Sequence, residues 1–219
     1  MNENIHFETY FQTPVYVTEL PELLDKLNEA SEPHIKYAKE RNKMLSKERD
    51  KSLGKRLGDF GMTHHSGPLV GLPAFADIQG YVERRSLEIM DHLGYDMTTY
   101  DMTWTEMWVQ EFSKKGAGYH NAHIHYDNHI SGFYFLKSSE HTSHPILKDP
   151  RVAKTMSMLP LKNPNEVSMG SGSIHYRPKP GTLILFPAYL EHEFSVDLGI
   201  DPFRFIHFNL QAVRKQEHV

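Results

Sequence analysis

From residue 100 onward the chain is built of short segments rich in aromatic and branched side chains. They are Thr103–Phe112, Ile130–Leu136, Ile174–Arg177, Thr182–Phe186, His192–Val196 and Phe203–Val213, each closed by turn residues. Segments of this length and composition predict strands. The first hundred residues have a different character. Thr13–Val17 reads as a short strand stopped by Pro21, after which Leu20, Leu23, Leu24 and Leu27 recur at helical spacing. The charged run 33–51 reads as a solvated helix or a mobile arm with no chemistry of its own. Gly54, Gly58, Gly61 and Gly67-Pro68 mark loops over 52–73. A second helix is predicted over Phe75–Leu93, with Ile78, Tyr81, Val82, Ile89, Met90 and Leu93 buried and Gly94 at its end. Helices followed by many short strands predict a mainly β core with helices flanking it. A two-sheet jelly roll buries such strands without leaving exposed edges.

At 219 residues the chain predicts one domain: 1–99 as helical support, 100–213 as the β core. Residues 137–173 interrupt that core with several prolines, serines and glycines, and a connection so long predicts a lid. No run is long enough to span a membrane, and Met1–Tyr10 carries acids without an apolar stretch, so a cytoplasmic protein without a leader is expected. A net charge of −4 leaves no basic footprint for nucleic acid. The absence of cysteine removes disulfides, thiolate catalysis, Fe–S clusters and zinc fingers from consideration.

Histidine is what remains to be explained. Of 15 in the chain, His120, His123, His125, His129, His141 and His144 fall within 25 residues. Side chains two apart in an extended segment point the same way, so in His123-Ile124-His125-Tyr126-Asp127 either His125 with Asp127 or His123 with His125 can grip one ion. His192 follows the buried strand Thr182–Phe186 and Pro187. Two triads are therefore open: His125, Asp127 and His192, or His123, His125 and His192. The first is preferred, because a carboxylate offsets the charge of Fe(II) and completes the facial triad of non-haem oxygenases. Arg204 shares a strand face with Ile206, Phe208 and Leu210, where it needs an anion.

These residues also resemble a known pattern. His-x-His before Ser131-Gly132-Phe133-Tyr134, then Gly181-Thr182-Leu183-Ile184-Leu185-Phe186-Pro187-Ala188-Tyr189-Leu190-Glu191-His192, then Arg204-Phe205-Ile206-His207-Phe208-Asn209 resembles the Fe(II)/2-oxoglutarate-dependent dioxygenases. The run His129–Lys137 looks particularly like versions carried by bacteriophages of cyanobacteria. The resemblance covers about residues 100–213. It implies a cupin-like double-stranded β-helix that binds Fe(II) and 2-oxoglutarate and hydroxylates a small-molecule or peptide substrate. It also implies that Arg204, helped by Tyr134, receives the distal carboxylate of the co-substrate.

Other roles are weighed beside these. The plain alternative for Arg204 is an internal salt bridge, for instance to Glu106. Tyr134 serves equally well as a core aromatic. His120, His129, His175 and His207 are expected to be structural, and Trp104 and Trp108 to pack in the core. A cupin-like metalloenzyme without a keto acid, or a jelly-roll binding protein stabilised by a metal, are the competing functions.

Overall fold

The computed structural model describes residues 6–215, so the first five residues of the segment inspected for a leader lie outside the described residues. Ten strands and two long helices follow in chain order. They are β1 (Tyr16–Glu19), α1 (Leu24–Leu53), β2 (Thr63–His65), α2 (Ala76–His92), β3 (Tyr100–Phe112), β4 (His120–His123), β5 (Ile130–Lys137), β6 (Pro145–Lys148), β7 (Ser173–His175), β8 (Thr182–Pro187), β9 (His192–Phe194) and β10 (Arg204–Arg214). All the pairings are antiparallel, in two sheets: β1-β8-β5-β10-β3-β2 and β4-β9-β6-β7. This is the expected jelly roll with helices outside it.

Period-two alternation decides which residues meet. Along β10, Ile206, Phe208 and Leu210 point outward and pack with Ile35 of α1 and Ile78 and Val82 of α2. Phe205, on the alternate parity, points inward, against Phe133 of β5 and Phe194 of the small sheet. A bulge between Asn209 and Leu210 in the ladder with β3 sets Glu106 opposite Asn209 but Trp104 opposite Leu210. Trp104 consequently packs on Phe208 on the helix side, while Trp108 packs on inward-facing Phe205 and His207.

Gly132 lies where β8 and β10 crowd β5. A Cβ there would fall 2.4 Å from the carbonyl oxygen of Ile184 and 2.6 Å from the ring of Phe208. Only glycine lets the three strands come this close.

Three expectations need correction. Of the two readings of the charged run 33–51 the helix holds and the arm does not, since the run continues α1 through Pro33; what needs correction is its solvation, because a seam of Ile35, Ala38, Asn42 and Ser46 is buried. The narrowness of that seam, mostly small side chains, is why hydropathy did not reveal it. Gly54, at φ 62°, ends the helix. Second, residues 52–73 are not all loop, since they include β2, which pairs with β3. Third, 137–173 is not one excursion, because β6 lies inside it and pairs with β9 in the small sheet. The irregular remainder helps line a cavity of about 580 Å³ with Phe7, Tyr10, Phe11 and Leu147, and none of the clustered histidines lines that cavity.

Candidate metal centre

The small sheet brings two histidines together by register. His123, ending β4, is the cross-strand partner of His192, which begins β9. His125 is two residues past His123 on the same side. Their ring centroids lie 4.5 Å (His123 to His192), 5.0 Å (His123 to His125) and 5.2 Å (His125 to His192) apart. One nitrogen from each falls within 4.8 Å of the others, as a single ion requires.

Hydrogen bonding prepares two of the three rings. His192 Nδ1 lies 2.9 Å from the carbonyl of Leu190, and His123 Nδ1 lies 2.7 Å from that of Asn121. A carbonyl only accepts, so in both rings Nδ1 carries the proton and Nε2 keeps its lone pair. Nε2 of His192 and Nε2 of His125 are both buried without a hydrogen-bond partner. A buried polar atom left so costs about 1–3 kcal/mol, which a metal ion would relieve. Protons do not compete. Burial pushes His192 down to about 3, opposed by the Leu190 carbonyl and reinforced by His123 and His125. Burial likewise brings His125 to about 4, with His123 adding and Glu106 opposing. Neutral imidazoles with free lone pairs are the form that ligates.

A second trio, Glu106, His125 and His207, also brings three donor atoms within 4.8 Å. Its centre is already occupied. Asn209 Nδ2 lies 2.8 Å from Glu106 Oε2, 3.0 Å from His125 Nδ1 and 3.1 Å from His207 Nε2. The two N–H bonds of the amide serve Glu106 and His207, and with Nδ1 of His125 in contact beside them the group steadies the His125 ring from behind. His207 is fully buried, which drives its pKa well down, and it serves here as an acceptor. Above it, Gln110 donates to Nε2 of His120 at 2.6 Å, linking β3 to β4.

Of the two triads left open by the sequence, the structure brings together His123, His125 and His192. Asp127 is not in the cluster. The chain turns after His125, Asp127 adopts φ 58°, and its side chain is exposed. The two-residue rule fails because it presumes an extended backbone through residue 127.

Arg204 and Tyr134 are also elsewhere. Both lie on the outer, helix-covered face of the large sheet. Arg204 Nε donates to Glu111 at 2.7 Å and Nη1 to Glu32 of α1 at 2.8 Å, while Lys39 of α1 also pairs with Glu111. Burial alone would raise the Glu111 carboxyl, but Lys39 and Arg204 together hold it low. The Tyr134 hydroxyl donates to the carbonyl of Leu20 at 2.8 Å. The anion that Arg204 needs is therefore internal, supplied by Glu111 and Glu32 rather than by Glu106 or a ligand. A second bulge, between Arg204 and Phe205 in the ladder with β5, sets Lys137 opposite Arg204. Among the described residues, no inward position of β3, β5, β9 or β10 carries a lysine or arginine: β10, for instance, offers Phe205, His207 and Asn209. The Asn209 support was missed in the sequence, although the alternation already placed it on the face shared by Phe205 and His207.

A Pseudomonas putida prolyl-4-hydroxylase superposes with a TM-score of 0.52 at 12% identity, over 90% of this chain and 92% of that one. The chain shares the jelly-roll fold of that enzyme. Residues 106–200, less than half of this chain, match the family model described as "Putative 2OG-Fe(II) oxygenase", and that match supports the same superfamily. A 2OG-Fe(II) oxygenase family oxidoreductase from Burkholderia pseudomallei matches with a TM-score of 0.43 at 15% identity, over 65% of this chain; the chain covers 60% of that protein, less than two thirds. HygX from Streptomyces hygroscopicus, solved with nickel and 2-oxoglutarate bound, matches with a TM-score of 0.45 at 11% identity, over 68% of this chain and 69% of that one. No curated protein matches in sequence. The segment matched by the family model contains His123, His125 and His192 but stops before Arg204.

Proposed function

We propose that the protein is a mononuclear Fe(II) oxygenase whose metal is held by His123, His125 and His192, and which uses a 2-oxo acid co-substrate to hydroxylate a small molecule or peptide. The observation that carries the reading is the pair of buried, partnerless Nε2 atoms on His125 and His192 beside the ready lone pair of His123. Three neutral imidazoles leave the charge of a divalent ion uncompensated, which favours an anionic chelating co-substrate. The chemistry such a centre supplies when loaded is dioxygen activation, which with 2-oxoglutarate yields succinate and CO2.

The chain's own groups have definite tasks around it. The carbonyls of Leu190 and Asn121 hold two rings in the ligating tautomer. Asn209 orients the third. Phe133 and Phe186, 5.5 and 5.0 Å from His192, keep water from the back of the site. Trp108 and His120 stand 6.4 Å apart and nearly parallel beside it, offering flat surfaces to a substrate. No helix among the described residues is long and apolar enough to cross a membrane, and a cytoplasmic setting is part of the proposal.

Anaerobic addition of Fe(II) and excess 2-oxo acid, 2-oxoglutarate first, tests it. A visible charge-transfer band, followed in air by oxygen consumption and CO2 release, is the expected result. Metal binding without a band for any 2-oxo acid, and without CO2 in air, would overturn it.

A further inference from the structure

Fit to the co-substrate must be judged at both of its ends, and only one end fits. The metal end would meet neutral imidazoles and a divalent charge. The remote carboxylate of 2-oxoglutarate would need a buried cation, and the expected one is already paired elsewhere. Arg204 is 1% exposed, faces the opposite side of the sheet and is bonded to Glu111 and Glu32. Lys137 sits opposite it and interacts with the same two acids. The layer behind the imidazoles is instead phenyl: Phe133 lies 5.5 Å from His192 and 5.5 Å from Phe205, and Phe205 stacks at 4.6 Å on Phe194. The one carboxylate at the cluster, Glu106, would repel a second anion. A carboxylate driven into that layer would be desolvated without a partner, whereas a methyl group matches it.

We infer that the co-substrate taken at this site is a 2-oxo acid whose remote end is uncharged. The inference rests on the oxygenase reading above and specifies its co-substrate. Arg204 is thereby a cross-brace between α1 and the sheet rather than a ligand-binding residue.

The test compares 2-oxoglutarate with 2-oxopentanoate, which has the same chain length and a methyl in place of the distal carboxylate. Each is titrated anaerobically into the Fe(II)-loaded full chain through the charge-transfer band. Binding is checked independently by water-proton relaxation of the Mn(II)-loaded protein. The titration is repeated on a double variant, Arg204→Met with Glu111→Leu, which removes both charges so that neither is left buried alone. Expected is 2-oxopentanoate binding at least as tightly as 2-oxoglutarate, with the ratio changed less than about threefold in the double variant. A preference for 2-oxoglutarate of roughly tenfold or more, the contribution of one hydrogen bond to a charged group, overturns the inference and leaves the oxygenase reading standing. If that preference also vanished in the double variant, Arg204 would be its source. Metal binding with no response to either acid overturns the oxygenase reading itself, and the inference with it.

Discussion

Arg204 and Glu111 are cross-strand partners on β10 and β3, joined at 2.7 Å on the helix-covered face and both almost wholly buried. Arg204→Met leaves Glu111 buried with only Lys39, so chemical denaturation should show a loss of about 3–5 kcal/mol. Adding Glu111→Leu should restore most of it. A single variant as stable as the parent would mean that the pair contributes no net stability.

The choice of third ligand has a direct measurement. His123→Ala and His192→Ala should each abolish stoichiometric metal in protein loaded anaerobically with Fe(II), with the circular dichroism spectrum preserved. Asp127→Ala should retain full metal content. The opposite result for residues 123 and 127 would return the carboxylate to the site.

In the proposed centre Asn209 would act on the metal through His125. Its replacement by alanine should weaken metal affinity by roughly 10–100-fold, the usual effect of removing such a support. Competition with a chelator of known affinity measures this. Unchanged affinity would show that His125 needs no orienting partner.

Acid sensitivity should arise from buried imidazoles outside the site as well. His144 Nε2 meets His175 Nδ1 at 3.0 Å, and burial, with Arg177 and His175 adding, takes its pKa down to about 4. The unfolded chain takes up that proton near 6.5, whereas the folded ring resists until about 4. Its stabilising contribution is therefore complete above pH 6.5 and falls away as pH drops through that interval. Unfolding free energies of metal-free protein across this range should show His144→Gln with a shallower slope, by up to one proton or about 1.4 kcal/mol per pH unit. Identical slopes would exclude His144.

Gly132→Ala tests the close approach of three strands. The nearest obstacle is the backbone carbonyl of Ile184, which cannot swing aside, so a loss of about 3 kcal/mol is expected. A thermal shift of less than a few degrees would show that the sheet yields there.

Much of this was legible in the sequence because period-two alternation is local. The long strands and the placement of Arg204 on the face of Ile206, Phe208 and Leu210 follow from it directly, and α2 follows from the helical spacing of its apolar residues, whereas β2 and β6 are too short to announce themselves. What failed were inferences needing a turn geometry or a distant partner. Asp127 leaves the site because one residue adopts a positive φ, which composition does not announce. The anion for Arg204 comes partly from Glu32, 172 positions away in the chain, where no sequence spacing could have suggested it. His123 was legible as a candidate ligand, but only the register that pairs β4 with β9 brings it beside His192 while Asp127 turns away.

The central place of β10 in the large sheet, between β5 and β3, also governs how the molecule can form. This strand spans residues 204–214, so its two neighbours must wait, unpaired on that edge, until the ribosome has delivered those residues. Pairing between segments so remote in sequence is slow to nucleate, and the waiting edges are the ones most open to aggregation. Truncation anywhere within the final strand would remove the keystone from an arch whose other stones were laid first.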